Sequence, residues 1–130
     1  MHAAPTSTIL LAEDDPDILA LVRLRLERWG YAVLAATNGD EALELAFGQH
    51  VDLALLDVQM PGLTGVEVTQ QLRADERTRE IPVILLTASV QEREVVIGLG
   101  AGASAYVKKP FDPNDLRARI ERALGGDLAA

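Results

Sequence analysis

At 130 residues with 48% hydrophobic content, the chain has the size of one compact domain and enough apolar material for a core, which excludes a disordered protein; with only 4% aromatics that core is aliphatic. A formal net charge of −8 repels phosphate backbones and anionic membranes, which argues against nucleic-acid or membrane binding by this chain alone. The absence of cysteine leaves no disulfide framework or thiolate site and fits a reducing cytoplasm, and no apolar run approaches the roughly 20 residues that span a bilayer.

Met1–Ser7 has neither a basic start nor an apolar stretch and reads as a flexible leader rather than a signal peptide. Ile9-Leu10-Leu11-Ala12 is a short apolar run that suits a strand buried on both faces. Asp15-Pro16 then supplies an N-cap and a first-turn proline, and Ile18, Leu19, Val22, Leu26 and Trp29 form one helical stripe that Gly30 ends. Tyr31–Ala36 is the second predicted strand. Asn38 and Glu41 stand at capping-box spacing before a second helix with Ala42, Leu43, Ala46 and Phe47 on its apolar face. Leu53–Leu56 is the third strand and runs into Asp57. Pro61-Gly62 marks a turn, and Thr64 with Glu67 opens a third helix reaching about Ala74.

Pro82–Thr87 reads as the fourth strand, with proline tolerated at its first residue. Ser89 and Glu92 cap a predicted fourth helix ending near Gly100 or Gly102. Ala105-Tyr106-Val107 is a short fifth strand, and Asp112-Pro113 starts a fifth helix carrying Leu116, Ile120 and Leu124. The predicted domain is 8–124, followed by a flexible tail over 125–130. Alternation of five strands with five helices implies βαβ units, hence an α/β fold with a parallel sheet covered by helices on both faces.

In such a sheet, ligands bind beyond the carboxyl ends of the strands. Those ends carry Glu13-Asp14-Asp15, Asp57, Thr87 and Lys108-Lys109. Clustered carboxylates repel one another and call for a cation; an all-oxygen set suits Mg²⁺, which favours a phosphate as a further ligand. A carboxylate can itself accept a phosphoryl group, and a nearby ammonium and hydroxyl, here Lys109 and Thr87, can neutralise the oxygens in transit.

The segments Ala12-Glu13-Asp14-Asp15-Pro16, Leu56-Asp57-Val58-Gln59-Met60-Pro61-Gly62, Leu86-Thr87-Ala88 and Lys109-Pro110-Phe111 together resemble the receiver-domain family of two-component signalling, over about Ile9 to Leu124. The resemblance implies a flavodoxin-like sheet of order 2-1-3-4-5. It implies that Asp57 is phosphorylated from a phosphohistidine donor, and that Mg²⁺ (or Mn²⁺) is held by Asp14, Asp57, the main-chain carbonyl of Gln59 and, through water, Glu13. Thr87 and Ala88 would contact the phosphoryl group, Lys109 would pair with it, and Tyr106 would turn inward as Thr87 is drawn over. Gln59 and Ser89 occupy positions that tune phosphoryl lifetime, and the Lys109–Pro110 bond is expected to be cis. The implied partners are a sensor histidine kinase or histidine phosphotransfer protein and a downstream protein or linked output domain, with homodimerisation on phosphorylation. Partners would read the face formed by the fourth helix, fifth strand and fifth helix. The protein would be a cytoplasmic regulator and not an enzyme, beyond assisting its own phosphoryl transfer and hydrolysis. Glu13 departs from the family's usual Asp, and Thr64 replaces a common acidic residue, here read as a helix cap.

Plainer readings stand beside these. Asp15 fits a helix cap better than a ligand, Lys108 an exposed charge, Trp29 packing, and His2 and His50 solvated positions. Gly100-Ala101-Gly102 lacks the spacing of a nucleotide loop. A hydrolase of the haloacid dehalogenase type would need an acid where Gln59 stands; a receiver fold acting only as a binding scaffold is the other rival. The chain can be read as a stand-alone regulator or as a receiver cut from a longer protein, with Gly125-Gly126 opening a linker.

Overall fold

The computed structural model describes residues 6–88, 97 and 100–125. Its strands are β1 (Thr8–Ala12), β2 (Ala32–Ala36), β3 (Leu53–Asp57), β4 (Val83–Thr87) and β5 (Ala105–Lys108). Its helices are α1 (Pro16–Arg28), α2 (Gly39–Gly48), α3 (Gly65–Ala74) and α4 (Pro113–Gly125). The predicted fifth helix is α4 in this numbering. The predicted fourth helix falls mostly on residues 89–96, 98 and 99, outside those described. Of its end, Ile97 and Gly100 are helical, the Ala101 N–H donates to the Ile97 carbonyl at 3.0 Å, and Gly102 takes φ +105°.

All five strands run parallel in the order β2-β1-β3-β4-β5, as the resemblance implies. Alternate side chains face opposite layers, because the strand repeat is two residues. Leu10, Ala12, Ala54, Leu56, Val83 and Leu85 pack with Ala42, Ala46, Val68 and Leu72 of α2 and α3. Ile9, Leu11, Leu53, Leu55, Ile84 and Leu86 pack with Val22, Leu26, Leu116 and Ile120 of α1 and α4. This two-sided burial is why β1, β3 and β4 read as unbroken apolar runs; each fully buried Leu or Ile contributes about 1.5–3 kcal/mol. Among the described residues no helix is long and apolar enough to cross a membrane.

Local chemistry sets the element ends. The Asp15 carboxylate accepts the Asp17 and Ile18 N–H groups at 2.9 and 3.3 Å, and Gly30 ends α1 at φ +95°. Thr64 and Glu67 form a reciprocal capping box at 3.2 and 3.0 Å. The second anticipated box is only half made. Asn38 accepts the Glu41 N–H at 2.8 Å, but Glu41 returns its bond to the Thr37 N–H at 2.7 Å, one residue early. Ser7, which the sequence places in the leader, accepts the Ala32 N–H at 3.0 Å.

Two side chains tie elements together across the fold. The Asp52 carboxylate accepts the Thr8 N–H at 2.8 Å, while the Asp52 N–H donates back to the Thr8 carbonyl at 2.8 Å, fastening the start of β1 to that of β3. Arg73 donates to the carbonyls of Gly102, Ile81 and Arg79 at 2.7–3.2 Å and so holds the entries to β4 and β5 against α3.

Candidate functional site

Parallel strands bring their carboxyl ends to one edge. The register pairs Ala12 with Leu56, Asp57 with Leu86, and Thr87 with Lys108. Residues 13–14, 57, 87 and 109 therefore meet although nearly a hundred positions separate the first from the last.

Glu13 and Asp57 are buried, at 1% and 4% exposure, whereas Asp14 is exposed. One oxygen of each carboxylate lies within 4.8 Å of the other two. The Lys109 ammonium sits between the buried pair, 2.7 Å from Glu13 Oε1 and 3.2 Å from Asp57 Oδ2. Burial pushes the Lys109 pKa down, but the hydrogen bond it donates to Glu13 and the charge of Asp57 outweigh it, and the net direction is upward. The second oxygen of Glu13 accepts the Asp15 N–H at 3.1 Å, and Asp57 Oδ1 accepts the Gln59 N–H at 3.3 Å.

Among the described residues, three carboxylates thus face one ammonium. A hard divalent cation fits that set, because it supplies the missing charge to oxygen-only donors, two of them already withdrawn from water. Glu13, Asp14 and Asp57 could hold it, with the Gln59 carbonyl as the remaining protein donor implied by the resemblance. Glu13 is committed to Lys109 and to the Asp15 N–H, which suits a residue acting at one remove from a metal.

The other anticipated residues are distributed as follows. Thr87 is buried at the end of β4, and its carbonyl accepts the Lys109 N–H at 2.7 Å. Ala88 is exposed and lines a groove together with Lys109, Pro110 and Phe111. Tyr106 is half-buried on β5, opposite Leu85, against the core on the α2–α3 side. Gln59 is exposed, the Lys109–Pro110 peptide bond is cis, and Ser89 lies outside the described residues. Asp15 caps α1 as read. His50, read as solvated, is exposed but bonds Asp52 at 2.7 Å.

Two features escaped the sequence reading. Gly65 starts α3 where its Cα passes the Asp57 backbone: a Cβ there would collide with the Asp57 carbonyl oxygen and stand 3.0 Å from its carbonyl carbon. Gly39 starts α2 under the same constraint against Leu63. The available signal was a glycine at the first position of each helix, where most residues serve better.

A family model described as the response regulator receiver domain matches residues 9–121. The alkaline phosphatase synthesis transcriptional regulatory protein PhoP of Bacillus subtilis is 41% identical over 116 residues, covering 89% of this chain and 48% of that protein. The transcriptional regulatory protein CseB of Streptomyces coelicolor is 46% identical over 121 residues, covering 93% and 50%. The chain spans about half the length of these curated relatives. Among solved structures, the receiver domain of the sensor histidine kinase PA1611 of Pseudomonas aeruginosa, with a magnesium ion coordinated in its active-site cleft, is similar at TM-score 0.87 and 33% identity, covering 93% of this chain and 99% of that one. The response regulator TrrA of Thermotoga maritima in complex with Mg²⁺-BeF is similar at TM-score 0.83 and 34% identity, covering 92% and 100%.

Proposed function

Since the chain belongs to the response regulator receiver domain family, we propose that it is a phosphoacceptor switch in which Asp57 takes a phosphoryl group from a histidine kinase or a histidine phosphotransfer protein. The observation that carries this reading is the buried Asp57 carboxylate at the end of a central strand, with an ammonium at 3.2 Å and two further carboxylates beside it. An Asp57 oxygen attacks phosphorus, the P–N bond to the donor imidazole breaks, and the P–O bond of an aspartyl phosphate forms.

Asp14, Asp57 and the Gln59 carbonyl are the residues that would hold Mg²⁺ or Mn²⁺, with Glu13 behind them. When bound, the cation neutralises charge on the transferring oxygens. Lys109 supplies a second positive charge to the same oxygens and must loosen its bond to Asp57 as they arrive. Thr87 closes on the product through its hydroxyl. The added charge of roughly −1.5 to −2 is then the signal that moves Thr87, Ala88 and Tyr106 and remodels the face of the predicted fourth helix, β5 and α4. Gln59 and Ser89 flank the acceptor and control water access, hence lifetime, with the domain assisting its own dephosphorylation. The signal passes to an output domain or to a separate protein, with homodimerisation through the remodelled face, in the cytoplasm.

Incubation with acetyl phosphate followed by intact mass spectrometry tests the reading. One added phosphoryl group that needs both Mg²⁺ and Asp57, and is lost in Asp57→Ala, is the expected result. No adduct together with no detectable Mg²⁺ binding overturns it and leaves a binding scaffold.

A further inference from the structure

The loop between β3 and α3, residues 58–64, carries Gln59, and it rests on the first residue of α2. Gly39 is buried there, and a Cβ on it would collide with the Leu63 carbonyl oxygen, 2.6 Å from Leu63 Cβ and 2.9 Å from the Leu63 carbonyl carbon. These are largely backbone atoms, so no rotamer change relieves the overlap. A second approach lies beside it: a Cβ on Gly62, which takes φ +74°, would stand 2.9 Å from the Asp40 side-chain carboxylate. The loop is a closed unit. The Gly65 N–H donates to the Val58 carbonyl at 3.0 Å, the Gln59 N–H to Asp57 at 3.3 Å, and Val58 and Met60 are buried in the core that includes Ala42 of α2.

We propose that Gly39 is a positioning residue for the cation site: its bare Cα lets α2 support the loop from beneath and fixes the height of the Gln59 carbonyl relative to Asp57 and Asp14. The inference rests on Gln59 being a metal ligand. It follows because the loop, closed by the Val58–Gly65 bond, transmits a displacement at Leu63 to its other end. An alanine at a first helical position would otherwise favour the helix, so any loss it causes comes from the loop.

The test uses the full chain and titrates Mg²⁺ and Ca²⁺ separately by calorimetry. Gly39→Ala is compared with Gly30→Ala, where a side chain meets nothing within 4 Å but the φ of +95° is strained. Gly39→Ala is expected to weaken Mg²⁺ binding by about 10–100-fold, the usual effect of disturbing a ligand's support. Ca²⁺ binding should fall less, because Mg²⁺ demands near-octahedral geometry and Ca²⁺ does not. Gly30→Ala should lose stability yet keep both affinities. Wild-type Mg²⁺ affinity in Gly39→Ala, or equal losses for the two cations, overturns the proposal. Should Gly39→Ala not fold, hydrogen exchange on the wild type decides. Mg²⁺ should slow exchange over residues 37–44, which contain no ligand, together with 58–64; protection confined to 58–64 overturns the proposal. A wild-type chain that binds no Mg²⁺ at all instead overturns the ligand reading of Gln59 beneath it.

Discussion

Lys109 is the residue on which the site's electrostatics turn. Its ammonium, on a side chain 16% exposed, bridges Glu13 and Asp57 and is the counter-charge that lets two carboxylates stay buried together. Lys109→Met keeps most of the aliphatic stem and removes that charge. Taking one partner from a buried ionic cluster costs about 3–5 kcal/mol, so urea unfolding without divalent cation should show a loss of roughly that size. Mg²⁺ should return much of it, making the variant more cation-dependent than the wild type. Equal stability of the two proteins in the absence of cation would show that Lys109 does not neutralise the cluster. Glu13 belongs to the same account. Its longer arm reaches both Lys109 and the Asp15 N–H, so the departure from the family's usual Asp is absorbed by bonding within the chain.

Among the elements, β1 and β3 form the centre on which the acidic residues are mounted, and their entry is fastened by Asp52. The Thr8 N–H holds the Asp52 carboxyl below the usual carboxylate range, burial opposes this, and the bond from His50 reinforces it. A folded-state pKa below the unfolded one means stability present above about pH 4 and lost as pH falls through the folded value. Asp52→Ala should therefore cost about 1 kcal/mol near neutrality, the value for a hydrogen bond whose charged partner is screened by solvent. The gap from the wild type should narrow as denaturation is followed from pH 5 towards pH 3. A gap that stays constant across that range would assign the loss to packing. The helices show the same local control: the Thr64–Glu67 box is made as spaced, whereas Glu41 bonds Thr37, because residue spacing admits two partners one position apart and only the backbone path into the helix selects between them.

For the molecule as a whole, the consequence of clustering three carboxylates against one ammonium is a fold that a divalent cation should stabilise. At a hundredfold excess over Kd, binding to the native state alone contributes about 2.7 kcal/mol, which for a domain of this size raises Tm by about 10 °C. Differential scanning calorimetry with and without Mg²⁺ should show that rise in the wild type and little of it in Asp14→Ala. An unchanged wild-type Tm at saturating Mg²⁺ would remove the metal from the site.

The element pattern was legible in the chain because each buried strand is a continuous aliphatic run and each of α1 to α4 opens on a capping residue that its own sequence supplies: Asp15, Asn38, Thr64, Asp112. The convergence of Glu13, Asp57, Thr87 and Lys109 was legible too, since parallel connections oblige them to end at one edge. What the sequence could not carry was the pairing among them. That Lys109 bonds Glu13 at 2.7 Å and Asp57 at 3.2 Å depends on strand register and on side-chain reach across the sheet, quantities that no local spacing encodes. Likewise, Gly39 and Gly65 read as ordinary loop-to-helix glycines until the fold brought the Leu63 and Asp57 backbones against them. Local hydrogen bonding and hydrophobic periodicity act between near neighbours and are written in order along the chain; close backbone approach and charge pairing act between elements, and only their assembly decides them.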